Sequence, residues 1–203
     1  IPSTLYSYYV TAHDAAGNNS GSSNVVDIIT SAVPDFDPPS QPTNLAASNL
    51  TETSVDLSWT ASTDNIAVIG YDLYQDGIYL ATTINTAYAV TGLTVSTPYA
   101  FYVIAKDAAG NASIASATLN VVTPDLSAPT APTALAAANV TETTLDLSWN
   151  AATDNVGVTS YEVYQDGILL GSTAGLTYAV AGLSTANAYD FFVVAYDAAG
   201  NAS

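Results

Sequence analysis

The stretch that decides the fold is Val55-Asp56-Leu57-Ser58-Trp59, in which apolar and polar side chains alternate. Alternation with a period of two places the apolar set on a buried face and the polar set in solvent, as in a half-buried strand. The same period runs through Tyr99, Phe101, Val103 and Ala105. No stretch of the chain has helical periodicity, so the pattern predicts β-structure that is packed on one face.

This deciding stretch is repeated. Asp56-Leu57-Ser58-Trp59 returns as Asp146-Leu147-Ser148-Trp149, 90 positions later. The same interval separates other matched segments, and the motif Asp-Ala-Ala-Gly-Asn occurs at residues 14–18, 107–111 and 197–201. Collinear repeats of this length indicate tandem copies of one structural unit.

Each repeat has turn residues between short strands. Asp76-Gly77 is a strong signal for a two-residue hairpin turn. Further strands are predicted over residues 44–48, 78–82, 87–90 and 115–122. Seven short strands without a helix predict an all-β fold, in which seven-stranded antiparallel sandwiches of the immunoglobulin-like kind follow one another in tandem.

Proline-rich segments divide the chain. Residues 35–42 and 125–132 each precede a repeat, and proline restricts the backbone and cannot donate to a sheet, so both segments are predicted to be short, stiff connectors. The predicted division is the last two strands of a module over 1–33, a complete module over 34–124, and a module without its last strand over 125–203. The truncated outer modules indicate a window from a longer array. The alternative is strand exchange, in which residues 19–33 of one chain complete the last module of another.

Several of these residues match a family pattern. Trp59 on the second strand, Tyr71 on the third, and Leu93 with Tyr99 near the sixth resemble the fibronectin type III domain. The resemblance implies that Leu93 and Tyr99 form a tyrosine corner, in which the tyrosine hydroxyl holds the loop before the sixth strand. It covers the central module fully and the last one up to its missing strand, while residues 1–33 match only the tail of the pattern.

The repeated motifs resemble bacterial members of that family. Residues 58–65, Ser-Trp-Thr-Ala-Ser-Thr-Asp-Asn, and the Asp-Ala-Ala-Gly-Asn motif are similar to modules of secreted glycan-degrading enzymes and surface adhesins. The resemblance implies an extracellular or cell-surface location in a bacterium. It assigns no function by itself, since the same sandwich serves many roles.

The charge balance excludes several classes of partner. The chain carries 18 acidic residues and one basic residue, Lys106, for a net charge of −17. Nucleic acids and anionic membrane surfaces are bound by clustered Lys and Arg, which the sequence lacks. It also lacks the run of roughly 18 apolar residues that spans a bilayer. The absence of cysteine excludes disulfides, zinc thiolates and cysteine nucleophiles.

The sequence predicts no catalytic site within these 203 residues. His13 is the only histidine, and the matching positions of the other copies hold Lys106 and Tyr196, so His13 is interpreted as a surface residue. With one His and no Cys, triads of the Ser-His-Asp type and zinc centres are excluded. A glycosidase pair of carboxylates stays open in principle, but the acids fall in turns and at the polar positions of strands, such as Asp56.

Acids and amides recur at one pole of each predicted sandwich. The segment before the first strand, the loop after the second and the loop after the sixth meet there, and Ca²⁺ binds about six to eight oxygens of this kind. The candidate calcium ligands are Asp37, which follows Asp35 closely, with Asp64, Asn65 and Asp107 in the central module, and Asp125, Asp154, Asn155 and Asp197 in the last. The alternative, which we favour at this level, is that they only form turns, because Asp and Asn bond to their own backbone.

Tyrosines at non-core positions form a second candidate site. Tyr74, Tyr79 and Tyr102 are out of phase with the buried positions and are suited to stacking on sugars or on a neighbouring chain. The alternative, which we favour, is that they are cross-strand pairs that cover one sheet face.

Two functions remain open from the sequence. The first, which the near-identical repeats favour, is a non-catalytic structural or adhesive array of an extracellular protein, such as a fibre or stalk. Its partners would be neighbouring modules, copies of itself, carbohydrate or a cell-surface ligand. The alternative is a set of spacer modules within a secreted polysaccharide-degrading enzyme whose catalytic domain lies outside these 203 residues.

Overall fold

The chain is built from strands alone. The computed structural model describes residues 3–31 and 34–203. Within these residues there are fifteen β-strands and no helix, so the predicted all-β class is confirmed. The described part therefore contains no helix of the length and apolar character needed to cross a bilayer.

Residues 3–31 form one antiparallel hairpin. Its strands are β1 (Leu5–Tyr8) and β2 (Val26–Ile29). The two strands predicted for this segment are present. The predicted boundary after residue 33 falls beside Ala32 and Val33, which lie outside the described residues together with Ile1 and Pro2.

The central module is a sandwich of two antiparallel sheets. Its strands are β3 (Thr43–Ser48), β4 (Ser54–Thr60), β5 (Val68–Gln75), β6 (Ile78–Thr83), β7 (Ala87–Thr91), β8 (Pro98–Asp107) and β9 (Leu119–Val122). One sheet has the order β3-β4-β7 and the other β6-β5-β8-β9. The seven-stranded antiparallel sandwich is confirmed for this module.

The core lies between these sheets and contains the alternating residues of the deciding stretch. Val55, Leu57 and Trp59 of β4 are at most 6% exposed. They pack in one cluster with Phe101 and Val103 of β8, both of which are fully buried. Each such side chain removes apolar surface from water, which is the main force holding the two sheets together.

An edge-to-face aromatic pair connects this core to the loop after β4. The rings of Trp59 and Tyr71 have centroids 5.4 Å apart, and the Tyr71 hydroxyl accepts a hydrogen bond from the Ser62 amide at 2.9 Å. In the last module Trp149 and Tyr161 repeat the pair at 5.6 Å. The loop is therefore tied to the core at its start in both modules.

The tyrosine corner is also present twice. The Tyr99 hydroxyl accepts a hydrogen bond from the Thr94 amide at 2.8 Å, and the Tyr189 hydroxyl accepts one from the Ser184 amide at 2.7 Å. The prediction for Tyr99 is confirmed, and its partner lies in the loop before the sixth strand, as expected.

One predicted strand is shorter than expected. Strand β9 begins at Leu119, whereas the sequence predicted a strand over residues 115–122. Before β9, two serine hydroxyls accept the hydrogen bonds that backbone carbonyls accept in a regular sheet. Ser113 Oγ accepts a bond from the Ala105 amide, and Ser116 Oγ accepts one from the Val103 amide. Side-chain oxygens hold this edge where regular pairing is lost.

The last module repeats the sandwich with six described strands. They are β10 (Thr133–Ala138), β11 (Thr144–Asn150), β12 (Val158–Gln165), β13 (Ile168–Thr173), β14 (Thr177–Ala181) and β15 (Phe191–Asp197). The sheets have the orders β10-β11-β14 and β13-β12-β15. A cavity of about 500 Å³ is lined by Leu145, Leu183 and Phe191. The matching position of the central module is filled by β9, whose Val121 is buried.

Candidate metal centres at the module junctions

Three connecting segments meet at one pole of each sandwich and bring three carboxylates together. In the central module they are the segment before β3, the loop after β4 and the end of β8. Asp35, Asp64 and Asp107 each offer one oxygen there, and these oxygens lie within 4.8 Å of one another. We call them the first acid cluster. The second acid cluster, in the last module, contains Asp125, Asp154 and Asp197 with the same separation.

The loop after the second strand of each sandwich holds its aspartate by one oxygen only. Asp64 Oδ2 accepts hydrogen bonds from the Ile66 and Ala67 amides at 2.9 and 3.1 Å. Asp154 Oδ2 accepts from the Val156 and Gly157 amides, both at 2.8 Å. The other oxygen of each carboxylate, Oδ1, is buried without a hydrogen-bond partner. The turn amides therefore orient each carboxylate through Oδ2, and Oδ1 accepts no hydrogen bond.

The Asp-Ala-Ala-Gly-Asn motif folds as the turn that the sequence predicted. Asp107 Oδ1 accepts from the Asn111 backbone amide and Oδ2 from its side-chain amide, both at 2.7 Å. Gly110 has a φ of 94°, where glycine is favoured. Asp197 and Asn201 make the same pair of bonds. The motif thus forms the expected turn, and the same turn carries its aspartate into the acid cluster.

These turn aspartates are buried and stay ionised. Asp107 is 2% exposed and Asp197 is 4% exposed. Burial raises the pKa of each carboxyl, but the bonds from the asparagine side chain and from the turn amides outweigh it, so that the pKa of Asp107 and that of Asp197 lie below the usual value. Each cluster therefore contains a negative charge that has been removed from bulk water.

The connector before each sandwich supplies the third carboxylate. Asp35 Oδ1 accepts bonds from the Asp37 amide and from the Asn65 side-chain amide, both at 3.1 Å. Asp125 is 7% exposed, and its Oδ1 accepts a bond from the Ser127 amide at 3.3 Å. Asp125 Oδ2 is buried and has no partner. The second acid cluster thus contains two carboxylate oxygens that lack any hydrogen bond.

Five of the eight predicted ligands belong to the acid clusters, and the other three are Asp37, Asn65 and Asn155. Those in the clusters are Asp64, Asp107, Asp125, Asp154 and Asp197. Asp37 lies outside the first cluster, and its Oδ2 accepts a bond from the Asn65 side chain at 3.3 Å. Asn155 is exposed.

Asp35 takes the place expected for Asp37. The 90-residue interval contains the signal for this, because it pairs Asp35 with Asp125, whereas it pairs Asp37 with Ser127.

Glu52, which the sequence analysis did not single out, binds the connector between the two modules. Glu52 Oε1 accepts hydrogen bonds from the Leu126 amide and the Ser127 hydroxyl, both at 2.8 Å. The bond from Leu126, followed by that from Ser127, lowers the pKa of Glu52. No local pattern indicates this contact, because Glu52 lies 74 residues before Leu126. The equivalent residue of the last module, Glu142, is exposed.

The tyrosines predicted off the core phase pair with one another. Tyr74 and Tyr102 lie opposite each other on β5 and β8, with ring centroids 4.8 Å apart and 7° between the planes. Tyr79 meets Tyr74 edge-on at 6.0 Å. The cross-strand interpretation is confirmed. Because the rings cover each other, less of their flat surface is left for a sugar.

The His and Lys side chains of the described residues lie apart from the acid clusters. His13 is exposed and lies in an isolated bridge with Asn19. The sole Lys, Lys106, is 3.5 Å from Asp72 and so is paired within its own sheet. Neither residue joins an acid cluster.

The family follows from a match over most of the chain. The family model for the fibronectin type III domain matches residues 40–122 and 130–203. The chain belongs to the fibronectin type III family. Its two sandwiches are tandem fibronectin type III modules, as the resemblance of Trp59, Tyr71 and Tyr99 implied.

The relatives of these fibronectin type III modules include bacterial glycosidases. Exoglucanase B of Cellulomonas fimi is 43% identical over 212 residues, which cover 99% of this chain and 19% of that enzyme. Chitinase A1 of Niallia circulans is 47% identical over 171 residues, which cover 81% of this chain and 24% of the enzyme. The chain therefore spans about a fifth to a quarter of the length of these relatives. Among solved structures, the central fibronectin-III array of RIM-binding protein matches 82% of this chain and 67% of its own, with 18% identity and a TM-score of 0.36.

Proposed function

We propose that this chain is a non-catalytic spacer within a secreted, polysaccharide-degrading bacterial enzyme. The observation that carries the proposal is the alignment of 99% of the chain with 19% of Exoglucanase B at 43% identity. The catalytic residues of such an enzyme would lie outside these 203 residues. This is the second of the two functions left open by the sequence, and the relatives favour it over the first.

The structure has the properties that a spacer needs. Each of the two sandwiches has its own core, so neither depends on its neighbour to bury its apolar side chains. The connector between them is held at Leu126 and Ser127 by Glu52 of the preceding module, which limits its freedom. An ordered connector keeps the elements on its two sides apart at lower cost in conformational entropy than a flexible one.

An extracellular location and a carbohydrate environment belong to the same proposal. Exoglucanase B and Chitinase A1 are named for polysaccharide substrates, which are large and are met outside the cell. The high net negative charge keeps the chain soluble and limits self-association. The adhesive or fibre-forming array remains a prediction without support from the relatives.

The test uses the complete chain and a defined enzyme. The purified 203-residue chain is incubated with cellulose and with chitin, and released reducing sugar is measured; none is expected. The chain is then placed between a catalytic domain and a carbohydrate-binding module, and it is compared with a Gly/Ser linker of equal span. Turnover of soluble substrate should be equal and turnover of insoluble substrate higher with the chain. Hydrolysis by the chain alone, or equal turnover of insoluble substrate by both fusions, would contradict the proposal.

A further inference from the structure

We propose that Asp125, Asp154 and Asp197 bind one Ca²⁺ ion at the junction before the last module, and that Asp35, Asp64 and Asp107 bind a second at the junction before the central one. The inference does not depend on the spacer function, since it rests on the acid clusters and on their buried oxygens without hydrogen-bond partners. It goes beyond that function because it assigns a ligand to a site.

The buried oxygens without partners carry the argument. Asp125 is 7% exposed, and its Oδ2 has no hydrogen bond, while Oδ1 of Asp154 is buried and equally unpartnered. Buried polar atoms in folded proteins are almost always satisfied, because an unsatisfied one forfeits the hydration it had in the unfolded chain. Two such oxygens in one cluster indicate a site for a cation rather than a turn that satisfies its own side chains.

The charge of the second cluster points to a cation. Three carboxylates lie with ligand oxygens within 4.8 Å of one another, and no Lys, Arg or His belongs to the group. Position 196, which follows Lys106 of the central module by 90 residues, is a tyrosine. Like charges at this separation repel unless one carboxyl takes up a proton or a cation binds. A bound cation would relieve this repulsion while the turn bonds from Asn201 to Asp197 are kept.

The donor set selects calcium among the common divalent cations. All the candidate ligands are carboxylate oxygens on irregular loops, and neither cysteine nor histidine takes part, which disfavours zinc. Magnesium requires near-octahedral geometry and keeps most of its waters. Calcium accepts about six to eight oxygens in irregular arrangements, so that water or backbone carbonyls can complete the shell around three carboxylates.

An ion at the second cluster would join the two modules. Thr123 ends the preceding sandwich, where its hydroxyl donates to the Thr94 carbonyl at 2.6 Å. Asp125 is only two residues further along the chain, and its carboxylate lies with Asp154 and Asp197 of the following sandwich. With Glu52 bound to Leu126 on the other side, the ion would fix the connector at both ends. Calcium therefore acts as a stiffening element of the array.

The first experiment measures stoichiometry and specificity. The complete chain is stripped with chelator and titrated with CaCl₂ by isothermal titration calorimetry, and two sites are expected. Asp154→Asn should remove one site and Asp64→Asn the other. Asp190→Asn is the matched control, because Asp190 is exposed and precedes β15, whereas Asp197 ends it. No binding to the parent, or two sites retained in Asp154→Asn or in Asp64→Asn, would overturn the proposal.

A second measurement separates binding from a structural role of the aspartate. An asparagine at 154 keeps a side-chain oxygen for the Val156 and Gly157 amides while removing one negative charge. At a Ca²⁺ concentration about a hundredfold above Kd, the melting temperature of the last module should rise on the order of 10 °C in the parent.

The order of the melting temperatures of Asp154→Asn and the parent should reverse between EDTA and Ca²⁺. In EDTA, Asp154→Asn should melt at or above the parent, since it relieves the repulsion, and in Ca²⁺ it should melt below the parent. A variant that melts below the parent by the same amount in both buffers would show that Asp154 only supports its loop, and the calcium assignment would be wrong. The calcium assignment would also be wrong if the parent had the same melting temperature in Ca²⁺ and in EDTA.

Discussion

The two acid clusters have the same three aspartates but different surroundings. In the first, Asn65 donates to both Asp35 and Asp37, so the connector carboxylate is partly satisfied by protein. In the second, Ser127 replaces Asp37, and the bond to Asp125 comes from the Ser127 amide rather than from Asn155, the match of Asn65. Asp125 is then left buried with a free oxygen. The connector carboxylate of the second cluster thus accepts one hydrogen bond from the protein, whereas that of the first accepts two.

The nearest basic residue adds to the contrast. Lys106 precedes Asp107 of the first cluster, whereas Tyr196 precedes Asp197 of the second. Although Lys106 is paired with Asp72, its charge lowers the negative potential of the central module. From both differences we expect the second cluster to bind a cation more strongly than the first.

The largest effect is expected from removing one of the two core tryptophans. Trp149→Ala should cost about 3–5 kcal/mol of the last module's stability, because it leaves a cavity beside Tyr161. Since the chain has two tryptophans, the fluorescence of Trp59 then reports on the central module alone during urea unfolding. The Trp59 transition should not move. A shift equal to that of the far-UV signal would show that the modules unfold as one unit.

A smaller effect is expected from the tyrosine hydroxyls that hold the cluster loops. Tyr161→Phe leaves the buried Ala152 amide without its acceptor, which should cost about 1–3 kcal/mol. Tyr71→Phe should do the same at Ser62 in the central module. Each variant should also weaken calcium binding only at its own junction, as measured by calorimetry. Equal weakening at both junctions would contradict the separation of the two sites.

The order of calcium affinities tests the contrast between the clusters directly. The tighter of the two sites should be lost in Asp154→Asn and the weaker one in Asp64→Asn, with dissociation constants that differ several-fold. The reason is that Asp125 accepts one hydrogen bond and has a buried Oδ2 without a donor, while Asp35 accepts two bonds, one of them from Asn65. Two-site calorimetry on both variants measures the order. The reverse order would mean that the amide contacts of Asn65 organise the first cluster rather than compete for it.

The smallest effect is expected from acid on the Glu52 contact. The bonds from Leu126 and Ser127 lower the pKa of Glu52 in the folded chain, so the folded junction binds this proton less readily than the unfolded chain does. Its stabilising contribution is complete above the unfolded pKa and is lost as the pH falls through the lower, folded pKa. The Leu126 amide shift, followed by NMR, should titrate with a midpoint below the usual glutamate value. Glu52→Gln should abolish that titration, and its persistence in the variant would assign it to another acid.

The repeated local patterns predicted much of the fold. Alternation in residues 55–59 identified a strand with Trp59 and Leu57 on its buried face, and the structure agrees. The pattern failed at residues 115–118, because Ser113 and Ser116 hold the edge through side-chain oxygens that a period-two reading does not detect.

The sequence by itself determined the sandwich, the tandem arrangement and the acidic residues of the junctions, since each depends on short-range periodicity or on the 90-residue interval. Only the tertiary structure decided how closely the oxygens of Asp35, Asp64 and Asp107 approach one another, and that Glu52 holds the connector. These contacts join residues far apart in the chain, and which oxygen is buried without a partner depends on packing that no local pattern records.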